Sequence, residues 1–492
     1  MASSYTDLRM SATKTFLPRR QFLKTAALAS AGAALPGCAA LDRLFMGQSG
    51  DLSDRTVILG GGYAGLCAAY ELRKRGKSYR LFEGSARVGG RAWTLQSLTP
   101  ASQSGEIGFE WFSQDQTFFW DLAKELKLEI IEVKNQRQNL FLQTGGGVLT
   151  KLPEKDLRHL RDLGRRREGL VGERSKWALQ RQVWKDNFMG EKPRAVQEWA
   201  QLQSRDPAWM DLVQAWCALH FGASPEQIHA WAFANPFLFS ENPADLWSSG
   251  RFKFRGGSSS LADALLDRVM GAIPGDRLLM SHRLTKVEKL TEGFELTFET
   301  PEGRRRYKAG QVICTLPWSV LKYIEGFEKF EGSAQILAPQ LSGQAKAVLS
   351  FRERFWRKKW DQGRVLASPL VWESTYRSQD FIENSWGLLS VTWSGIAADK
   401  AGPHLVKNWI DEAQAIEKRP DLPLVETHLH DWARHPWSLG SRSFPGLEQH
   451  EKVFEKPQAG WIWAGDHCLQ DNMGTAGGAL LSGARAASLV RG

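Results

Sequence analysis

The chain has 492 residues, of which 42% are hydrophobic and 24% are charged, and its formal net charge is +10. This composition excludes a disordered chain, and the length predicts two or more domains. The basic excess is spread over many segments without a basic block interleaved with aromatic residues, so we expect a soluble protein that does not bind nucleic acid.

Residues 1–37 are typical of an export signal. Arg19 and Arg20 form a twin arginine, and a short, mildly apolar, alanine-rich stretch follows. This stretch is too short to span a membrane as a helix, and it indicates a twin-arginine signal peptide read by the twin-arginine translocase. The sequence LPGC, ending at Cys38, resembles a bacterial lipobox, although Pro36 is unusual there. We therefore expect a periplasmic or cell-envelope protein, lipidated at Cys38 or cleaved without lipidation, with no other membrane attachment.

A strand, a glycine-rich turn, a helix and a second strand follow. RTVILG predicts the first strand, residues 64–75 the helix and SYRLFE the second strand. In such a unit the turn and the start of the helix can hold a pyrophosphate, and an acid that ends the second strand can accept hydrogen bonds from ribose hydroxyls. The residues that we predict to bind a dinucleotide here are Gly60, Gly62, Tyr63, Ala64, Gly65 and Glu83.

The middle of the chain alternates between helical and strand patterns. Residues 120–245 read as helical and rich in tryptophan, 254–269 as a turn and a helix, and 286–317 as three strands. The segments GQAKAVLSFRERFW and GLLSVTWSG predict further strands. We expect the four cysteines after Cys38 to be buried thiols, and we expect no metal site.

Two further segments favour a flavin over a nicotinamide. GGR follows the second strand, and WIWAGDHCLQDNMGTAGGALLSGARAASLV near the C-terminus predicts a strand that ends in an acid, followed by a helix. The acid can bind a ribityl hydroxyl, small residues let a flat ring pack against the backbone, and the helix N-terminus stabilises negative charge on a reduced ring. The residues that we predict to bind the cofactor here are Gly89, Gly90, Arg91, Gly465, Asp466, Gly474, Thr475 and Ala476.

These two blocks, together with AKAVLSFRERFW, resemble the flavin-containing amine oxidase superfamily over roughly residues 54–492. The resemblance implies an α/β fold with a discontinuous Rossmann-like FAD-binding domain and an interwoven substrate domain of mixed sheet and helices. The implied FAD-binding segments are 54–120, 245–320 and 436–492, and the implied substrate-domain segments are 121–244 and 321–435. The cofactor implied is FAD, and Lys346 matches the lysine that contacts flavin N5 through a water.

The chain departs from this family at the flavin linkage and at the substrate site. Ser441 stands where some members attach FAD through a cysteine, so we expect FAD to be bound non-covalently. Arg442 and Thr475 stand where monoamine oxidases place two facing tyrosines. We therefore expect Arg442 and Thr475 to line the substrate site, with Trp393 and Trp437 as aromatic walls.

The reaction implied by the resemblance is oxidation of a primary or secondary amine, or of an amino acid, to an imine, with dioxygen reduced to hydrogen peroxide. An amino acid would need a cation for its carboxylate, and Arg442 is the candidate. Three alternatives stay open: desaturation or ring oxidation of an apolar substrate, a tryptophan 2-monooxygenase-like reaction, and a flavin-bearing protein without turnover. Peroxide release on a substrate panel separates oxidation of an amine or amino acid from the rest.

Overall fold

The computed structural model describes most of the chain from Gly50 onwards. The described ranges are 50–100, 102–114, 116–132, 140–144, 148–151, 195–205, 207–230, 232–233, 252–270, 277–333, 341–358, 364–367, 370–374, 386–395, 402–444, 454, 457–469 and 472–491. The twin arginine, Cys38 and the helical pattern at 175–186 lie outside these ranges.

The described strands, in chain order, are β1 (Gly50–Leu59), β2 (Tyr79–Phe82), β3 (Thr94–Leu95), β4 (Gly105–Glu106), β5 (Ile130–Glu132), β6 (Leu140–Thr144), β7 (Val148–Lys151), β8 (Phe252–Phe254), β9 (Leu278–Leu279), β10 (Arg283–Lys289), β11 (Phe294–Thr300), β12 (Gly303–Cys314), β13 (Leu341–Ser342), β14 (Gln344–Phe351), β15 (Arg364–Ala367), β16 (Leu370–Ser374), β17 (Gly387–Ser394), β18 (Leu424–Asp431), β19 (Arg442–Ser443) and β20 (Trp461–Trp463).

The described α-helices are α1 (Tyr63–Lys74), α2 (Thr117–Leu126), α3 (Val196–Gln203), α4 (Pro207–His220), α5 (Ser258–Met270), α6 (Trp318–Leu321), α7 (Pro403–Glu417) and α8 (Ala476–Ser488). Short 3₁₀ helices lie at Phe327–Lys329, Phe355–Lys358 and Trp432–Arg434. The strand–turn–helix–strand unit and the three strands predicted within 286–317 are confirmed, although β1 begins six residues earlier than the predicted Thr56. None of the helices in the described ranges is long and apolar enough to cross a membrane.

The first sheet has the strand order β10–β11–β12–β1–β2–β9, and β20 also pairs with β12. Strands β1, β2, β9 and β20 and the end of β12 run parallel, whereas β10, β11 and the start of β12 form an antiparallel meander. Leu59 pairs with Phe82 and Cys314, and Cys314 pairs with Trp463. The carboxyl ends of these parallel strands therefore meet at one edge, where open α/β sheets bind ligands.

Alternate residues of this sheet enter two different cores. Ile58, Ile313 and Ile462 pack beneath α1, α5 and α8, while Val57 and Trp461 belong to the core on the other face. Helices α1 and α8 cross closely, because a Cβ added at Gly483 would lie 2.2 Å from the Ala64 carbonyl oxygen. The start of α1 at Ala64 is thus packed against α8, which brings the N-terminal and C-terminal predicted blocks together.

The second sheet has the order β18–β14–β17–β16–β15–β6–β7. On one face of β14, Ala345 and Ala347 pack with Trp409 of α7. On the opposite face, Val348 packs with Ile107 and Trp432. Lys346 shares the Val348 face because side chains alternate along a strand, so it faces residues 93–112 and not α7. This mixed sheet with its helices, beside the first sheet, confirms the predicted fold class.

Candidate active site

The three glycines of the glycine-rich motif are explained by different physical constraints. Gly60 has φ +103, and a Cβ there would lie 2.6 Å from Thr315 Oγ1. A Cβ on Gly65 would lie 1.9 Å from the Gly60 carbonyl oxygen. At Gly62 the same atom would meet only Gly90 Cα, at 3.8 Å. The fold itself therefore excludes side chains at Gly60 and Gly65, whereas the space beside Gly62 is open to a ligand.

The N-terminus of α1 offers backbone donors beside this space. The N–H groups of Tyr63, Ala64 and Gly65 lie in the first helical turn, where no preceding turn supplies acceptors. The Tyr63 side chain points away, since its hydroxyl donates to the Ser258 carbonyl at 2.6 Å and its ring packs edge-on against Phe109. Tyr63 can therefore bind a phosphate only through its backbone, and anions at such helix ends are stabilised.

Glu83 is held at the end of β2 by backbone donors. Its Oε2 accepts from the Gly61 N–H at 2.7 Å, and its Oε1 accepts from the Ser85 N–H at 2.7 Å. Each carboxylate oxygen has a second lone pair that can accept from a ribose hydroxyl. Glu83 thus fixes the glycine-rich turn and presents the acceptors that the sequence predicted.

The GGR segment is tied to the same turn. The Gly89 N–H donates to the Gly61 carbonyl at 2.8 Å, and a Cβ on Gly90 would lie 3.2 Å from Gly62 Cα. Both glycines have positive φ, at +98 and +59. The two predicted cofactor-binding loops therefore lie backbone to backbone.

Arg91 joins the N-terminal and C-terminal blocks. Its Nη2 and Nη1 donate to Asp466 Oδ1 and Oδ2 at 2.6 and 3.0 Å, and Nη1 also donates to the Ser441 carbonyl. Asp466 accepts a further bond from the Ser443 N–H. Burial raises the pKa of the Asp466 carboxyl, but Arg91 and the hydrogen bonds outweigh burial and hold that pKa well below its usual range.

Asp466 also stays a candidate ribityl ligand. Its main protein contact is a bidentate pair that fixes the Arg91 guanidinium, and Oδ1, which accepts from Arg91 Nη2, has a second lone pair that can accept from a ribityl hydroxyl. The neighbouring Gly465 has φ +140 and donates its N–H to Ser482 Oγ at 2.8 Å. Asp466 is thus locked between the end of β20 and α8.

The start of α8 is shaped by Gly474 and Thr475. Gly474 has φ +72, and a Cβ there would lie 2.0 Å from the Ser443 carbonyl oxygen. Thr475 is the N-cap, since its Oγ1 accepts from the Gly478 N–H at 2.9 Å and donates to the Asn472 carbonyl at 2.7 Å. The Thr475 hydroxyl is occupied by this cap, so Thr475 can offer a substrate its methyl group, and Ala476 opens the helix.

Lys346 contacts the segment after β4 through Glu110. Its Nζ lies 2.9 Å from Glu110 Oε2, and Lys253 Nζ lies 3.4 Å from Glu110 Oε1. The adjacent Phe109 N–H donates to the Arg91 carbonyl at 3.1 Å. The described chain therefore carries a buried two-lysine, one-carboxylate cluster next to Arg91, and Glu110 and Lys253 were not expected from the sequence.

The two tryptophans predicted as aromatic walls, Trp393 and Trp437, lie in different parts of the structure, and only Trp393 is placed away from Lys346. Trp393 pairs with Ala345 and belongs to the core under α7, on the opposite face of the sheet from Lys346. Trp437 packs against Gly84, where an added Cβ would lie 2.6 Å from the indole ring. Because Gly84 follows Glu83, Trp437 lies at the predicted ribose end of the cofactor site.

Arg442 and Ser441 also have protein partners. The Arg442 guanidinium donates to the His220 carbonyl at the C-terminus of α4, where a cation is stabilised by the helix dipole. Burial lowers the pKa of Arg442. The Ser441 hydroxyl donates to the Ser342 carbonyl at 3.1 Å. The side chain at the predicted linkage position is thus hydrogen-bonded to β13.

In the described part of the chain, neither a disulfide nor a candidate metal site accompanies the residues above. Cys67, Cys217, Cys314 and Cys468 are buried free thiols, as predicted. No group of three or more His, Cys, Asp or Glu side chains that could hold a metal ion occurs within the described ranges.

The described residues fit FAD. The open space at Gly62 and the free helix N-terminus can accept a pyrophosphate, Glu83 can accept from a ribose, and the fixed Arg91 guanidinium lies between them and α8. The N-cap at Thr475 directs the positive end of α8 towards the same region. These features lie along the carboxyl edge of the first sheet.

Comparisons with known proteins agree with this geometry. A family model described as flavin containing amine oxidoreductase matches residues 63–491. The chain is 24% identical to nicotine dehydrogenase of Pseudomonas putida (strain DSM 28022 / S16), over 96% of this chain and 97% of that protein. It is 22% identical to the flavin-dependent L-tryptophan oxidase of Lentzea aerocolonigenes, over 84% of this chain and 93% of that protein.

Solved structures share the fold. Putrescine oxidase bound to putrescine superposes with a TM-score of 0.71 at 19% identity, covering 89% of this chain and 99% of that one. Cyclohexylamine oxidase from Brevibacterium oxydans IH-35A gives a TM-score of 0.71 at 17% identity, covering 89% of this chain and 98% of that one.

Proposed function

Because the chain belongs to the flavin-containing amine oxidoreductase family and is an oxidoreductase with FAD as its cofactor, we propose that it oxidises the carbon–nitrogen bond of a small-molecule primary or secondary amine to an imine. The observation that carries the proposal is the buried Lys346 ammonium, which is held by Glu110 beside the Arg91 loop. A fixed cation at that place is suited to electron transfer at a flavin.

The protein residues supply binding, orientation and electrostatics. Bound FAD supplies the chemistry, which is acceptance of a hydride from the carbon next to a neutral amine. Gly62 and the first turn of α1 would hold the pyrophosphate and Glu83 would hold the ribose, while Asp466 keeps Arg91 in place. Lys346 would place its positive charge, and a water bound to it, at the reacting end, and its burial limits the access of bulk solvent to that charge.

We propose an amine without a carboxylate in preference to an amino acid. The Arg442 guanidinium, which is the candidate carboxylate ligand, already donates to the His220 carbonyl. Putrescine oxidase and cyclohexylamine oxidase, which share this fold, are named for amines that lack a carboxylate. The L-tryptophan oxidase relative supports the other candidate, an amino acid.

The test is anaerobic bleaching of the flavin by a panel of matched pairs, each an amine and the amino acid that carries the same side chain. We expect the amines to bleach the flavin at lower concentrations. Preferential bleaching by the amino acids would contradict the substrate class, and an Arg442→Met variant that loses only the amino-acid reaction would assign Arg442 to the carboxylate.

We propose dioxygen as the electron acceptor, with release of hydrogen peroxide. The relative named nicotine dehydrogenase supports a second candidate, an acceptor other than dioxygen. Stopped-flow mixing of reduced enzyme with oxygenated buffer separates the two. We expect the Lys346→Met variant to keep FAD but to reoxidise roughly 10²-fold more slowly, the scale for one positioned electrostatic group. Equally slow reoxidation of the wild type and the variant would favour the dehydrogenase.

We also propose export of the folded holoprotein by the twin-arginine route to the periplasm or cell envelope, with two alternatives at Cys38: lipidation, or cleavage without lipidation. The support is the sequence from Arg19 to Cys38. Replacing Arg19 and Arg20 by Lys should retain the protein in the cytoplasm, and normal export of that variant would contradict the proposal. Labelling with a radioactive fatty acid, lost on Cys38→Ser, tests lipidation.

A further inference from the structure

The cluster formed by Lys253, Glu110 and Lys346 is buried throughout. The side chains are 6%, 3% and 13% exposed, and they come from β8, the segment after β4, and β14. Both ammonium groups contact the same carboxylate, each through a different oxygen. Lys253 Nζ also lies 4.6 Å from the centre of the Trp111 ring. One carboxylate therefore serves two lysines in a site largely closed to water.

Two like charges in such a site repel each other strongly unless a counter-ion separates them. At an effective dielectric constant of about 20, a unit charge several Å away changes a charge-dependent equilibrium by roughly 10- to 100-fold. Burial raises the pKa of Glu110, but Lys346 and Lys253 outweigh burial and lower it, so the carboxylate is ionised. The Glu110 carboxylate therefore offsets the repulsion between the two ammonium ions.

A second buried carboxylate nearby, that of Glu106, has a different structural role. Glu106 accepts hydrogen bonds from the Ser258 N–H and hydroxyl at 2.8 and 2.6 Å and from Thr94 Oγ1 at 3.0 Å. Burial raises the pKa of Glu106, with a further contribution from Glu110. These contacts fix the start of α5, and within the described part of the chain Glu106 forms no hydrogen bond or ion pair with Lys253 or Lys346. Glu106 is thus a matched control for Glu110.

We propose that Glu110 is a positioning residue that, braced by Lys253, holds the Lys346 ammonium at the reacting end of the flavin. Without the carboxylate, repulsion from Lys253 displaces Lys346 or removes its charge. This inference rests on the proposed placement of Lys346 and extends it to residues 110 and 253. The inference therefore predicts that removing Lys253 restores the position and charge of Lys346 that are lost when Glu110 is removed.

The test is titration of the oxidised holoenzyme with sulfite, an anion that adds to the flavin and is stabilised by a nearby cation. Loss of visible absorbance gives the dissociation constant and needs neither amine nor dioxygen. We expect Lys346→Met and Glu110→Gln each to weaken sulfite binding by roughly 10- to 100-fold. We expect the Glu110→Gln/Lys253→Met double variant to bind sulfite within about 3-fold of the wild type, because one ammonium remains without a competitor.

A double variant as impaired as Glu110→Gln, or a Glu110→Gln variant equal to the wild type, would overturn the inference. The Glu106→Gln control should lower the melting temperature and leave sulfite affinity unchanged. If Glu110→Gln does not retain FAD, the sulfite affinity of the double variant alone tests the inference. If Lys346→Met leaves sulfite affinity unchanged, the proposed placement of Lys346 fails as well, so the two failures are distinguishable.

Discussion

Gly62 and Gly65 should respond differently to the same substitution. A Cβ at Gly62 would meet only Gly90 Cα, at 3.8 Å, and the backbone there, at φ −75, suits any L-residue. We expect Gly62→Ala to leave the apoprotein as stable as the wild type or about 0.4–1 kcal/mol more stable, because the unfolded chain loses freedom.

The same methyl group would occupy the space where a phosphate approaches the first turn of α1. Losing one or two charge-assisted hydrogen bonds of about 1.5–3 kcal/mol each amounts to about 3 kcal/mol. We therefore expect Gly62→Ala to weaken FAD binding roughly 10²-fold.

Gly65→Ala is the matched control. Its Cβ would lie 1.9 Å from the Gly60 carbonyl oxygen, so the backbone itself must move. Overpacking of this kind costs about 1–3 kcal/mol, and we expect the apoprotein to melt at a lower temperature. Thermal unfolding of both apoproteins, followed by FAD titration, separates the effects. Normal FAD affinity of Gly62→Ala, or equal destabilisation of both apoproteins, would refute the reasoning.

Two further predictions concern the C-terminal block. Acid precipitation should release intact FAD, because the residue at the linkage position is Ser441, whose hydroxyl is bonded to β13; a pellet that stays yellow would contradict this. Asp466→Asn should destabilise the holoprotein by roughly 3–5 kcal/mol, since it leaves the Arg91 guanidinium without its partner, and a melting temperature equal to that of the wild type would contradict the pairing. Because the folded pKa of Asp466 is depressed, its stabilisation is fully present above the unfolded pKa of about 3.9 and is lost progressively as the pH falls from there towards the lower folded pKa. Asp466→Asn should therefore flatten the acid limb of the stability profile, which unfolding in urea at pH 3 to 7 measures.

The parts of the site that depend on local sequence could be predicted. The glycine-rich turn, Glu83 and the start of α8 each lie within a few residues of a strand end or a helix N-terminus, where spacing fixes their relative positions. FAD as the cofactor and the fold class are confirmed for this reason.

The side of a sheet that a residue faces could not be predicted. Strand β17 is buried on both faces along most of its length, so no alternation of polar and apolar residues marks the side on which Trp393 lies. Only the pairing of Trp393 with Ala345 places it under α7.

Pairings between distant segments could not be predicted either. Arg91 and Asp466 are 375 residues apart, and Lys346 and Glu110 are 236 apart. Each of these residues alone is compatible with an exposed charge. Arg91 and Asp466 meet because β2 and β20 end at the same edge of the first sheet, and Lys346 meets Glu110 because β14 of the second sheet packs beside the segment after β4. A single sequence carries no signal for either contact.

The most direct test of the central claim is product analysis after a single anaerobic turnover. The holoenzyme is mixed with an amine that bleaches its flavin, and the product is identified by mass spectrometry. We predict one imine, or the carbonyl compound formed by its hydrolysis, for each flavin reduced. A product with a new carbon–carbon double bond and an unchanged amine would contradict amine oxidation and favour a desaturase on the same fold.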